Sequence, residues 1–202
     1  MRSSNVLRIG LAAVAVALLS TAAFAQKVEI HPYAGGFFPA EWADSASFKN
    51  EGLYGVRGGV FLTNNIEVEG NLGYINHFEF ENAGHTKSRA WLWDANGSYN
   101  FSSPRLKKIV PFLTGDVGAA TAVIDDFDEA ILPVGNTGNS ITLKDSDTFF
   151  ALNYGGGIKA VRLWGPLGLR ADVRGRTLPN FFGRNNTWLE TTGGILLSWG
   201  ER

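Results

Sequence analysis

Few residues in this chain are of a type that could do chemistry. His31 stands two residues from Glu29, and Ser198 lies near the C-terminus. Serine, histidine and acid are what an esterase needs, the acid orienting the imidazole and the imidazole taking the serine's proton. The three meet only if the two ends of the fold are neighbours. A hydrogen-bonded structural histidine near a rim is the simpler expectation. His77, Glu79, Glu81 and His85 have metal-ligand types, yet they share one polar segment. Zinc wants three or four ligands converging in space, which such a segment does not arrange. The run Asp125-Asp126-Phe127-Asp128-Glu129 lacks the spacing of a calcium loop and reads as solvated surface. Gly155-Gly156-Gly157 opens no helix, so it is not a phosphate cradle. No cysteine is present for a disulfide or a thiolate site. These features predict no catalytic residue, no cofactor and no metal.

The remaining charges are more orderly. Glu67 and Glu69 alternate with apolar residues, as do Arg170, Asp172, Arg174 and Arg176. Such spacing belongs to strands, whose side chains point to opposite faces in turn. Segment 91–101, Trp-Leu-Trp-Asp-Ala-Asn-Gly-Ser-Tyr-Asn-Phe, shows it best: its odd positions are apolar or small, and its even positions are mainly polar. Aromatics close both ends of an apolar face about ten residues long, the pattern of a strand crossing an outer membrane with lipid outside and polar groups within.

Eight such segments are predicted, at 28–38, 53–62, 66–75, 91–101, 109–123, 148–161, 167–176 and 188–199. The connections alternate long and short: 39–52, 63–65, 77–89, 102–108, 124–147, a tight Trp164-Gly165 turn, and a last loop opening at Thr177-Leu178-Pro179. Short turns on one side and long loops on the other fit a transmembrane barrel, with both termini on the short-turn, periplasmic side. Closing an even number of antiparallel strands satisfies every backbone hydrogen bond, which is what admits a sheet to lipid.

The N-terminus carries Arg2 and Arg8, an apolar run from Ile9 to Leu19 and the small-residue stretch Ala23-Phe24-Ala25. This reads as a signal peptide over 1–25, cleaved before Gln26, followed by one domain over 26–202. A net charge of -1 argues against a nucleic-acid partner.

The alternation assigns the interior. Arg57, Lys159, Arg170, Arg174 and Arg176 face inward with Glu67, Glu69, Asp94, Asp116, Asp172 and Glu190. Neighbouring-strand geometry predicts Arg57 diagonal to Glu69 and Lys159 diagonal to Asp172. It sets Asp94 beside Asp116, so that an arginine, Arg170 or Arg174, must reach them from across the lumen. Mixed signs favour an ion-pair plug over a conductive path, since selective pores line themselves with one sign. On the outer face, Tyr54, Tyr74, Trp91, Trp93 and Phe150 gather toward the long loops. Tyr99, Phe101 and Trp199 gather toward the short turns, as two interface girdles would.

Two hairpin units, Gly55-Val56-Arg57-Gly58-Gly59-Val60-Phe61 with Ile66-Glu67-Val68-Glu69-Gly70-Asn71-Leu72-Gly73-Tyr74, and 151–159 with 169–174, resemble those of small OmpA-like outer-membrane barrels. The resemblance runs through the whole mature chain. It implies an eight-stranded barrel in the bacterial outer membrane, without the peptidoglycan-binding domain of the family's namesake. It also implies contact with outer-membrane lipid and with the barrel-insertion machinery. Family barrels commonly end on an aromatic residue; here Trp199 is followed by Gly200-Glu201-Arg202. The expected role is structural or interactive, through the long loops and an extracellular ligand, and not enzymatic. The alternatives are a narrow solute channel, a periplasmic soluble barrel for an apolar ligand, and a lipid-modifying enzyme.

Overall fold

The computed structural model describes residues 27–39, 50–76, 88–102, 108–124, 129–134, 139–144, 146–181 and 184–200. The leader 1–25, the candidate ligands His77, Glu79, Glu81 and His85, and the acids at 125–128 lie outside them. Among the described residues are ten strands: β1 (Lys27–Pro39), β2 (Glu51–Phe61), β3 (Ile66–Ile75), β4 (Ser88–Asn100), β5 (Ile109–Ile124), β6 (Glu129–Val134), β7 (Asn139–Lys144), β8 (Ser146–Trp164), β9 (Leu167–Phe181) and β10 (Arg184–Gly200). Eight form a closed antiparallel barrel in the order β1-β10-β9-β8-β5-β4-β3-β2. β6 and β7 pair only with each other. They make a hairpin inside what the sequence reads as one loop, 124–147.

The barrel closes where Lys27 pairs with Gly200 and Pro39 with Trp188. Both described ends therefore lie at the rim that carries the short turns 62–65 and 165–166. Thr63 Oγ1 accepts from the amide of Ile66 at 2.9 Å, a hydroxyl-closed turn between β2 and β3. The β8–β9 turn is Gly165-Pro166, one residue later than expected, because Trp164 still pairs with Leu167. Gly165 has φ 62, a conformation that glycine takes without strain.

The register can be followed once around. Val28 faces Val60, which faces Val68; the row continues through Gly97, Gly115, Tyr154, Gly175 and Leu189. Leu189 then faces Phe38, ten residues along the starting strand, β1. Over eight strands, that stagger sets a tilt of about 40°.

Inward and outward positions alternate along the barrel strands, but their polarity does not stay constant. From the short-turn rim upward, the outer wall is apolar: Leu113, Val117, Ile158, Val173 and Ile195 are exposed. Near the long-loop end, the faces exchange character. Thr121 and Thr148 meet on the outside at 2.9 Å, as do Thr177 and Thr187 at 3.0 Å. The inside there is an apolar cluster built from Phe37, Leu53, Ile75, Leu92, Leu178 and Trp188. This exchange hides the true strand ends. β9 runs past Arg176 to Phe181, and Leu178 is 0% exposed where a loop was expected. β10 starts at Arg184, before Trp188.

Candidate functional site

The barrel interior holds a dense set of buried ionisable groups, arranged in tiers by the height of each strand position. In the lowest tier, near the short turns, Lys159 on β8 pairs with Glu67 and, at 2.8 Å, with Glu29. Lys27 also pairs with Glu29 and lies 4.3 Å from the centre of the Phe61 ring. Asn100 donates to Glu67 at 3.1 Å.

The middle tier is built on β9, whose alternate residues Arg170, Asp172 and Arg174 share one face. Asp172 accepts from Arg57 at 2.9 Å, from Arg170 at 3.2 Å and from Arg174 at 2.9 Å. Arg170 also binds Glu69, and Arg174 reaches Asp116 on β5 at 2.6 Å. Two guanidinium groups stack on aromatic rings, Arg57 on Tyr33 at 4.1 Å and Arg170 on Phe112 at 4.4 Å.

The upper tier centres on Arg176. Its Nη1 and Nη2 donate to the two oxygens of Asp94 at 2.7 and 2.9 Å, and its Nε donates to Glu190 at 2.6 Å. Asn71 supplies Asp94 with a further bond at 2.7 Å, and Trp188 Nε1 supplies Glu190 at 2.8 Å. The apolar cluster sits directly above, with the Trp188 ring edge-on to Phe37 at 4.8 Å.

All eleven interior residues named from the alternation are buried. Their partners differ from the neighbouring-strand expectation. Arg57 faces Asn71 in register and so lies diagonal to Glu69, yet it binds Asp172 across the barrel. Lys159 lies diagonal to Asp172 but binds Glu29 and Glu67. Long basic side chains span a narrow lumen, so the best-placed carboxylate is the one opposite. Arg174 does reach Asp116 from across, whereas Asp94 takes Arg176, with Arg170 occupied elsewhere. The sequence reading missed Lys27 as an interior cation and the whole apolar upper layer. Continued parity from Tyr33 to Phe37 was the available signal.

His31 is buried on the inner wall, its Nδ1 3.4 Å from Arg57 Nη1 and its ring beside Tyr33. Ser198 faces Glu29 in register, while the residue on β10 level with His31 is apolar. The three do not form a hydrogen-bonded triad among the described residues.

Outside, the aromatic residues named from the sequence face away from the lumen. Tyr54, Trp91, Trp93 and Phe150 are exposed toward the long-loop end, with the Tyr74 ring tilted against Trp91 at 4.7 Å. Tyr99, Phe101 and Trp199 are exposed toward the short turns. The levels of the two groups differ by about ten residue positions, or about 25 Å along the barrel axis at this tilt. Trp164, at 68%, is a further exposed aromatic of the lower group.

A closed sheet with lipid-suited residues outside and paired charges within is an integral β-barrel membrane protein. The chain belongs to the outer membrane protein beta-barrel domain family, whose profile matches residues 11–193. Among solved structures, it is similar to neisserial surface protein A, with a TM-score of 0.57 and 13% identity, covering 85% of this chain and 96% of that one. It is less similar to Ail, the attachment invasion locus protein of Yersinia pestis, at TM-score 0.48 and 14% identity over 85% and 98% of the two chains. For the outer membrane protein AlkL, the values are 0.41 and 14%, over 88% and 91%. These likenesses concern the fold alone. Comparison with curated protein sequences gives no match.

Proposed function

We propose that this outer-membrane barrel is a non-conducting scaffold that stiffens the membrane and holds its long loops, with the β6–β7 hairpin, toward an extracellular partner. One observation carries the reading: the interior is filled by oppositely charged pairs, and an apolar layer lies over them. A solute on the axis would have to separate pairs such as Arg57–Asp172 and Arg176–Asp94, and then pass Phe37 and Trp188. Breaking a buried pair costs several kcal/mol, and the apolar layer offers no ligand in exchange.

In this reading, the signal peptide 1–25 is removed on export and both ends of the mature chain face the periplasm. The aromatic groups sit at the two interfaces of outer-membrane lipid, and the insertion machinery reads the C-terminal strand. Conductance of the purified protein in planar bilayers is the direct test. Silence over the voltage range in which general porins conduct is expected. Stable ion steps from the folded barrel would replace this reading with the narrow channel. An epitope inserted between β6 and β7 should label on intact cells, and labelling only after outer-membrane rupture would reverse the orientation.

A further inference from the structure

The outer wall of the barrel is apolar through its lower half except at one place. Among the described residues there, Lys108 and Arg162 are the charged groups on the outside; both are cations, and both are exposed. They are neighbours across the β5–β8 seam. The amide of Val161 donates to the Lys108 carbonyl at 2.8 Å, and Ile109 pairs with Ala160.

The backbone is shaped to present Arg162. The β8–β9 register shifts between Ala160 and Trp164, and within that irregularity Arg162 adopts φ 51. A left-handed conformation is rare for a residue with a long side chain, and the irregularity sets two extra residues of β8 against β9 while Arg162 keeps the outward side. The guanidinium gives one bond to the Gly200 carbonyl, and its other four N–H donors have no partner among the described residues. No carboxylate among the described residues pairs with Arg162 or Lys108. Trp164, the next outward position, is the most exposed of the large hydrophobic side chains, and Trp199 is exposed near the same rim. Two cations with no carboxylate partner among the described residues, beside tryptophans at the edge of an apolar wall, match the level where lipid tails give way to headgroups.

We propose that Lys108, Arg162 and Trp164 form a binding site for the phosphate headgroup of an anionic phospholipid in the leaflet at the short-turn end. The guanidinium fork and the ammonium share the phosphate oxygens, while the indole lies against the glycerol and upper acyl chain. The site rests on the reading that the lower aromatic group marks a membrane interface.

The test uses the mature protein in nanodiscs made of equal parts phosphatidylglycerol and phosphatidylcholine. The barrel is released into detergent, and the lipids it retains are read by native mass spectrometry. Phosphatidylglycerol should be retained up to about thirtyfold over phosphatidylcholine, the scale that two cations near a surface provide. Lys108→Gln with Arg162→Asn should abolish the preference; asparagine tolerates the left-handed backbone, so the strand irregularity is kept. Lys108→Arg should retain it. A shift between boiled and unboiled samples checks that each variant is folded. If the double variant fails that check, Lys108→Gln alone should lower the preference about fivefold. Equal retention of both lipids by the wild-type barrel overturns the site and leaves the membrane reading intact, as does a folded double variant with undiminished preference. A barrel that does not enter the discs overturns both.

Discussion

Arg176→Met removes the cation that holds the upper tier together while nearly preserving its volume. Arg176 is 1% exposed and makes three hydrogen bonds, two to Asp94 and one to Glu190. Its loss leaves two buried carboxylates without their cation. Abandoning one buried partner costs about 3–5 kcal/mol. Two abandoned partners do not double this, because Asn71 still donates to Asp94 and Trp188 to Glu190. We expect a loss of about 4 kcal/mol in unfolding free energy, measured by urea titration of tryptophan fluorescence in vesicles. Neutralising the carboxylates as well, in Arg176→Met/Asp94→Asn/Glu190→Gln, should recover at least half of that loss. A single variant within about 1 kcal/mol of wild type would mean that water already solvates these carboxylates, and the dry-interior argument would fail.

Other expectations follow from individual contacts. A Cβ at Gly194 would lie 2.1 Å from the Pro32 carbonyl oxygen, whereas one at Gly115 meets nothing within 4 Å. Gly194→Ala should therefore impair β1–β10 closure and lose the gel shift between unboiled and boiled samples, while Gly115→Ala should fold as wild type. Trp188→Phe keeps the ring beside Phe37 but removes the donor to Glu190. It should cost about 1.5–3 kcal/mol in the same urea titration, the range for a bond to a charged acceptor. Phe37→Ala opens the apolar layer but leaves the ion pairs beneath it. Bilayer conductance should stay absent in this variant, and appearance of ion steps would make the apolar layer the sole barrier.

The eight barrel strands were legible because lipid and lumen impose opposite chemistry on alternate residues. Trp91, Trp93 and Tyr99 against Asp94, Asn96 and Ser98 leave little choice of face. The strand ends were not legible, since Leu178 and Trp188 turn inward where Thr177 and Thr187 turn outward, and polarity was the guide to direction. β6 and β7 were hidden by the polar character of the segment around them. The interior residues could be named from parity, but their partners depend on which side chains span the lumen. Arg57 choosing Asp172 over the diagonal Glu69 is a matter of three-dimensional reach that adjacent-strand register does not encode.

The exchange of faces above Phe150 also has a mechanical meaning. There the wall resembles a small water-soluble protein set on a lipid-soluble stem, with its own miniature core. β8 continues four residues beyond Phe150, to Ser146, which lifts that part of the rim by about 10 Å at this tilt. A ligand reaching the loops would therefore meet a firm pedestal standing clear of the bilayer, whose height is set by protein packing and not by the thickness of the surrounding lipid.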